Sequence, residues 1–250
     1  MKKSLFLVTF AALSLSACGY SVFDAAEDIK DGGGSEFKNG KTITSEAATT
    51  GAFSKLEAVG PDNIVFTTGD SFQISAAGDA DALKHLRYKV KDGTIMIGRD
   101  KNKFWNKGGK GVTITVTAPK LTQASLAGSG DFTADRMSGE KVEIELAGSG
   151  NLSVGDITAK GVETSIAGSG GAKLAGKVER AEYEIAGSGS IDAVRLASTN
   201  ADVSIAGSGN VDLTATGKVD ASIAGSGNIN VSGGAKCSSS TMGSGSINCS

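Results

Sequence analysis

The chain has one histidine, one tryptophan and three cysteines among 250 residues, and each scarcity excludes something. A lone histidine, His85, cannot supply a His-x-x-x-His metal pair, and the chain shows no Ser-His-Asp motif. Three cysteines, at 18, 237 and 249, are too few and too scattered for a metal-spaced cluster. Long hydrophobic runs are missing as well. The longest useful one, Leu5 to Leu15, is too short to cross a bilayer as a stable helix. An excess of positive charge is also absent. Setting aside Lys2 and Lys3, which lie in the leader described below, leaves 23 Lys and Arg against 27 Asp and Glu. A net charge near −4 argues against nucleic acid as a partner. The Gly-x-Gly units lack the following helix that nucleotide phosphates require.

What the chain does have is a repeat. Gly-Ser-Gly triplets begin at Gly128, Gly148, Gly168, Gly187, Gly207, Gly225 and Gly243, at intervals of 18 to 20 residues. Such a period, with a glycine turn in every unit, is the signature of a solenoid. Two residues before each triplet stand Leu126, Leu146, Ile166, Ile185, Ile205, Ile223 and Thr241. Four residues after its first glycine stand Phe132, Leu152, Ala172, Ile191, Val211, Ile229 and Ile247. Both flanks alternate with period two, which predicts strands. Strands joined by a glycine corner in every turn make a parallel β-helix, with matching side chains stacked about 4.8 Å apart. Crossover preference makes it right-handed. Helices are excluded because paired glycines would each cost about 1 kcal/mol inside them, whereas corners use glycine's access to positive φ.

The N-terminus reads as a targeting segment. Lys2 and Lys3 precede the apolar run, which closes on Leu15-Ser16-Ala17-Cys18. This resembles a bacterial lipoprotein signal, which implies cleavage before Cys18, lipidation of its sulfur and acylation of the new amino group. The alternative is an ordinary signal with Cys18 incidental. Gly19 follows where Asp would hint at inner-membrane retention, so an outer membrane is expected if the host has two. Residues 18–50, with Gly32-Gly33-Gly34-Ser35, read as a flexible tether. Cys237 and Cys249 both fall in the last coil at lumenal positions. A disulfide there would close an open end, two free buried thiols being the alternative.

Ahead of the triplets, Phe53 to Val59, Asn63 to Thr67, Phe72 to Ala76 and Val112 to Thr117 alternate as strands. Asp79 is placed to cap a short helix reaching Leu86, and Lys89 to Gly98 reads as a hairpin about Asp92-Gly93. These stretches, with Tyr88-Lys-Val-Lys-Asp-Gly-Thr-Ile-Met-Ile97, Val112-Thr-Ile-Thr-Val-Thr-Ala-Pro119 and the Ala-Gly-Ser-Gly repeats, carry a family resemblance. From Phe53 onward the chain resembles the putative auto-transporter adhesins with a head GIN domain. The resemblance implies a right-handed β-helix on the cell envelope and brings no catalytic residues. A lipid anchor in place of a translocating barrel argues against auto-transport in the strict sense.

Three places stand out as candidate sites. Between Arg99 and Lys110, the residues Lys101, Lys103, Phe104, Trp105 and Lys107 form a basic, aromatic segment suited to a sugar, a lipid headgroup or a partner. Its plainer reading is a long connection whose aromatics cover the solenoid's end. Glu143, Glu163, Glu182, Asp202 and Asp220 form a column that suggests a cation stripe, unless Lys141, Arg180, Lys218 and Lys236 neutralise it. Asp192 and Asp212 occupy equivalent outward slots and are the best catalytic pair, although short corners leave little loop to wall a substrate cleft. His85 reads as structural.

The sequence therefore predicts an all-β, single-domain, right-handed parallel β-helix over residues 51–250, behind a signal peptide at 1–17 and a tether at 18–50. It predicts a non-catalytic binding or scaffolding module of the cell envelope, held to the membrane by lipidated Cys18, with a glycan or envelope protein as partner. No cofactor, metal or nucleic acid is expected. A polysaccharide-processing enzyme and a purely structural envelope protein remain as alternatives.

Overall fold

The computed structural model describes residues 36–100 and 111–250. Glycine geometry determines the architecture. The first glycine of every triplet has φ between +125° and +145°, and a Cβ there would stand 2.0–2.4 Å from the carbonyl oxygen of the equivalent glycine one coil earlier. The third glycine, at ordinary φ, is equally constrained. A Cβ on Gly170 would lie 2.2 Å from the Gly150 carbonyl oxygen, and one on Gly150 2.0 Å from that of Gly130. Corners therefore stack backbone on backbone, and the serine amide donates back across the stack, as Ser169 N does to Gly148 O at 2.9 Å.

Two parallel sheets meet along this corner line. The sheet before the corner runs through β3 (Lys55–Gly60), β9 (Gln123–Gly128), the second half of β10 (Asp131–Gly148) and the second half of β11 (Asn151–Gly168). It continues in β13 (Arg180–Gly187), β15 (Asn200–Gly207), β17 (Lys218–Gly225) and β19 (Lys236–Gly243). The sheet after it runs through β4 (Asn63–Thr68), the first halves of β10 and β11, β12 (Gly171–Lys177), β14 (Ser190–Ser198), β16 (Asn210–Ala215), β18 (Asn228–Ser232) and β20 (Ser246–Cys249). Each registers like residue on like, so Leu146, Ile166, Ile185, Ile205 and Ile223 form one buried lumenal column. A β-solenoid of about six turns results, as the repeat predicts.

The longer coils carry a short third side, where Arg136–Gly139 of β10 pairs with Asp156–Ala159 of β11. Differences in coil length are absorbed on that side, at register shifts beside Val154, Lys173 and Ala193. They cannot be absorbed at the corner, where the stacked glycines leave no slack.

The first coils are out of sequence order. Strand β7 (Thr94–Arg99) lies parallel beneath β3, and β8 (Val112–Ala118) lies parallel beneath β4. The pair β7 and β8 thus makes a coil whose corner is replaced by the connection 100–111. Strands β5 (Gln73–Gly78) and β6 (Leu86–Lys91) run antiparallel to β8 and β7 and cover that end. Asp79 caps the single turn α1 (Ala80–Leu83), accepting from the Asp81 and Ala82 amides at 3.1 and 3.0 Å.

Residues from 36 onward belong to the packed head, although the composition through residue 50 reads as a tether. Strands β1 (Lys41–Thr42) and β2 (Ala48–Thr49) pair with β6 and β5, and Phe37 and Ile43 are buried. The physical reason is local. A Cβ on Gly98 would stand 2.5 Å from the Phe37 ring, so this glycine makes the seat for that aromatic.

Candidate binding surface

The outward face of the first sheet carries the acidic column in register. Glu143, Glu163, Glu182, Asp202 and Asp220 are stacked neighbours, and the column ends uncharged in Ser238. Beside it runs a second outward column, Ser165, Glu184, Ser204, Ser222 and Ser240. Between the two, from Glu182 to Ser240, the face is hollowed into a shallow open trough.

Neutralisation is confined to one end. Lys141 Nζ lies 2.8 Å from Glu143 and 2.5 Å from Glu163. Burial works against its charge, but hydrogen bonds to both carboxylates more than offset this and raise the ammonium above its usual pKa. Among the described residues, Arg180, Lys218 and Lys236 make no ion pair with the column. Glu182 shows the consequence. Burial, then repulsion from Glu163, Glu184 and Asp202, pushes its carboxyl above the ordinary range, with Lys141 opposing only weakly. The trough is therefore anionic, with serine hydroxyls between its carboxylates. Among the described residues, no group of three or more His, Cys, Asp or Glu side chains is arranged to hold a metal.

Asp192 and Asp212 are register partners on the second sheet, away from the trough. Asp212 accepts from Asn230 at 2.7 Å, and Asp192 faces the Val194 amide at 3.4 Å. Both belong to a ladder of polar side chains that continues from Asn230 to Asn248. His85 sits 2.9 Å from Asp100, whose other oxygen is held by Arg87.

Cys18 lies outside the described residues, as do Lys101, Lys103, Phe104, Trp105 and Lys107. The base of that second segment is described, and it contains a residue the sequence reading missed. Asp62 is 6% exposed and holds Arg99 at one end of the connection through both carboxylate oxygens, Arg99 Nε donating at 2.7 Å. At the other end the Val112 amide donates to the same carboxylate at 3.3 Å. Asp62 closes the corner Gly60-Pro61-Asp62, which stacks under Gly128-Ser129-Gly130. The positive φ of Gly60, +127°, marks this as a corner without the triplet. In sequence, the only signal was two alternating strands separated by that tripeptide. Cys237 and Cys249 are joined by a disulfide across the last coil, their Cα atoms 6.6 Å apart.

Comparison with known proteins agrees with this architecture. The family model described as putative auto-transporter adhesin, head GIN domain, matches residues 52–235. The fold is similar to a crystal structure of a putative adhesin from Bacteroides fragilis, with 27% identity over 82% of this chain and 95% of that one, at a TM-score of 0.77. It is also similar to a putative lipid binding protein from Parabacteroides distasonis, with 27% identity over 84% and 98% of the two chains, at a TM-score of 0.63. A putative adhesin from Parabacteroides merdae, 21% identical over 82% and 95%, shares the fold at a TM-score of 0.66. No curated protein matches.

Proposed function

The chain belongs to the head GIN family of putative auto-transporter adhesins, and from that premise we propose that it is a non-catalytic, adhesion-like binding module of the cell envelope. The observation that carries this reading is the anionic trough of Glu182, Asp202 and Asp220 on an open sheet face, where the described residues supply these three no ion-pair partner. Such a face suits recognition of an extended ligand by hydrogen bonds and charge, and its short corners provide no walls to exclude water around a reaction. Sugar hydroxyls or the amines of an envelope protein fit a surface of carboxylates and serines. The Lys101, Lys103, Phe104, Trp105 and Lys107 segment is proposed as a second contact, with aromatics for stacking on a sugar ring. Lipidated Cys18 is proposed as the anchor. An outer membrane is the proposed location if the host has two.

Binding to a glycan array and to envelope extracts tests the reading, using the parent and two variants, Asp202→Asn/Asp220→Asn and Phe104→Ala/Trp105→Ala. The expected result is a ligand whose retention falls at least tenfold in one variant while the fold is kept. Equal retention by all three chains sinks the binding role. Incorporation of labelled fatty acid, abolished by Cys18→Ala, tests the anchor. The name of the Parabacteroides distasonis relative raises lipid as a ligand, and vesicles with and without anionic lipid separate that case. Product formation from acidic polysaccharide, lost in Asp212→Asn, would replace this reading with the enzymatic one.

A further inference from the structure

The two ends of the solenoid are finished differently. At the head, β7 and β8 are covered by antiparallel β6 and β5, which are themselves flanked by β1 and β2. At the far end, β19 and β20 pair on one side only, with β17 and β18. Among the described residues nothing pairs with their outer edges. In a parallel sheet, alternate residues bond to opposite neighbours. The Lys236 amide donates inward to Gly217 O at 2.8 Å, so Cys237, Ser239 and Thr241 turn their backbone groups outward. The Ser246 amide likewise donates inward to Gly227 O at 3.1 Å, leaving Ile247 and Cys249 outward. Composition marks this coil as terminal: Ser239 and Thr241 occupy lumenal columns that hold Ala221 and Ile223 one coil earlier.

Exposed edges are normally blunted by charge, proline or a bulge. Of these, only the charge of Lys236, at the start of β19, lies on this edge. The register of β17 with β19 and of β18 with β20 is unbroken. From Ala221 to Ser250 the only charged side chain is Lys236, where the chain average of 21% would put about six in thirty residues. Met242, 77% exposed, stands beside the edge and is one of two exposed large hydrophobic residues among those described. An edge so low in charge leaves its free backbone groups open to a pairing strand.

We infer that this edge is a self-association surface, and that a second copy of the chain docks on it tail to tail. A two-fold axis perpendicular to the solenoid axis, crossing both strands, sets β19 antiparallel to its copy and β20 antiparallel to its own. The outward amides and carbonyls then pair, and the isologous contact closes at two. The head of another copy is a poorer match, because β1 and β2 already occupy two residues each of β6 and β5 and interrupt those edges, which favours tail on tail over a filament. Lys236 begins β19, so antiparallel pairing about a two-fold at Ser239 holds its two copies about 20 Å apart and avoids repulsion.

Sedimentation equilibrium of the full chain in detergent, over a hundredfold range of concentration, reads the stoichiometry. Two variants test the surface without touching the trough's charges. Thr241→Lys sets a charge on the pairing edge outside the trough, and Thr241→Pro deletes an outward amide of the same edge. The parent is expected to be a dimer. Both variants should dissociate at least tenfold more readily, with unchanged circular dichroism, and should melt like the parent once it is diluted to monomer. A parent that stays monomeric throughout, a dimer that persists in both variants, or a ladder of larger species overturns the proposal. Ligand retention by the two variants, expected to match the parent, keeps this outcome separate from that of the binding role.

Discussion

Among the described residues, two hydroxyls lie inside the lumen with no hydrogen-bond partner: Thr164 Oγ1 and Tyr183 OH, stacked in adjacent coils and fully buried. Burial alone pushes the Tyr183 phenol above its ordinary pKa. An unsatisfied buried polar group costs about 1–3 kcal/mol, so Thr164→Val and Tyr183→Phe should each leave stability unchanged or raise it by about 1 kcal/mol. A drop of similar size in thermal unfolding would mean that the hydroxyls are partnered after all. Asp62 is the opposite case. Its carboxylate is buried but fully used by Arg99 and Val112. Asp62→Ala strands a buried guanidinium and should cost about 3–5 kcal/mol, part of it recovered in Asp62→Ala/Arg99→Met. Glu182 belongs to the surface, and its effect is on pH dependence. A carboxyl with a raised folded pKa holds its proton more tightly when folded. Its stabilising contribution is therefore present at low pH and lost as pH rises through 4.5 and beyond. Glu182→Gln should be more stable than the parent at pH 7, by less than about 1 kcal/mol because the side chain is exposed, and indistinguishable from it near pH 4. Melting curves at the two pH values decide this.

At the scale of the element, the glycine corner accounts for both what the sequence disclosed and what it concealed. Apolar alternation around Gly-Ser-Gly revealed the strands, their lumenal faces and their stacking, because each coil repeats the same local chemistry. The head was legible strand by strand, since the Asp92-Gly93 hairpin and the Asp79 cap are local signals. Its stacking order was not, because β7 and β8 fit beneath β3 and β4 through contacts that no local pattern encodes. The Gly60-Pro61-Asp62 corner stayed hidden because it keeps the backbone of the motif and changes two of its three residues. The trough was half legible. Periodicity placed the carboxylate column, but which lysine reaches it depends on side-chain geometry, and among the described residues only Lys141 does. The corner also yields a graded test. Gly168, at φ +130°, would bring a Cβ to 2.3 Å from Gly148 O, whereas Gly93, at φ +76°, would meet nothing within 4 Å. Gly93→Ala should cost only about 1 kcal/mol of backbone strain. Gly168→Ala adds a collision with neighbouring backbone and should cost several times that. Similar losses in denaturant unfolding of the two variants would mean that positive φ, and not stacking, is what requires the corner glycines.

For the molecule as a whole, contacts run almost entirely between neighbouring coils, so stability approximates a sum along one dimension. A perturbation at one end should therefore stay near that end. The disulfide between Cys237 and Cys249 closes a loop of 12 residues in the coil that has a neighbour on one side only. Chain-entropy reasoning assigns such a bridge about 3 kcal/mol. In a globular core that sum would be withdrawn from the global unfolding free energy. Here β19 and β20 rest on β17 and β18, whose lumenal residues Val219, Ile223, Ile229 and Val231 are buried. Reduction, or Cys237→Ser/Cys249→Ser, should free the last coil to fray while the coils beneath stay closed. Hydrogen exchange resolved by peptide reads this directly: protection should fall by about a hundredfold over Lys236–Cys249 and change little before Gly207. Uniform loss of protection from head to tail would show that the coils open together, and that the one-dimensional picture fails for this solenoid.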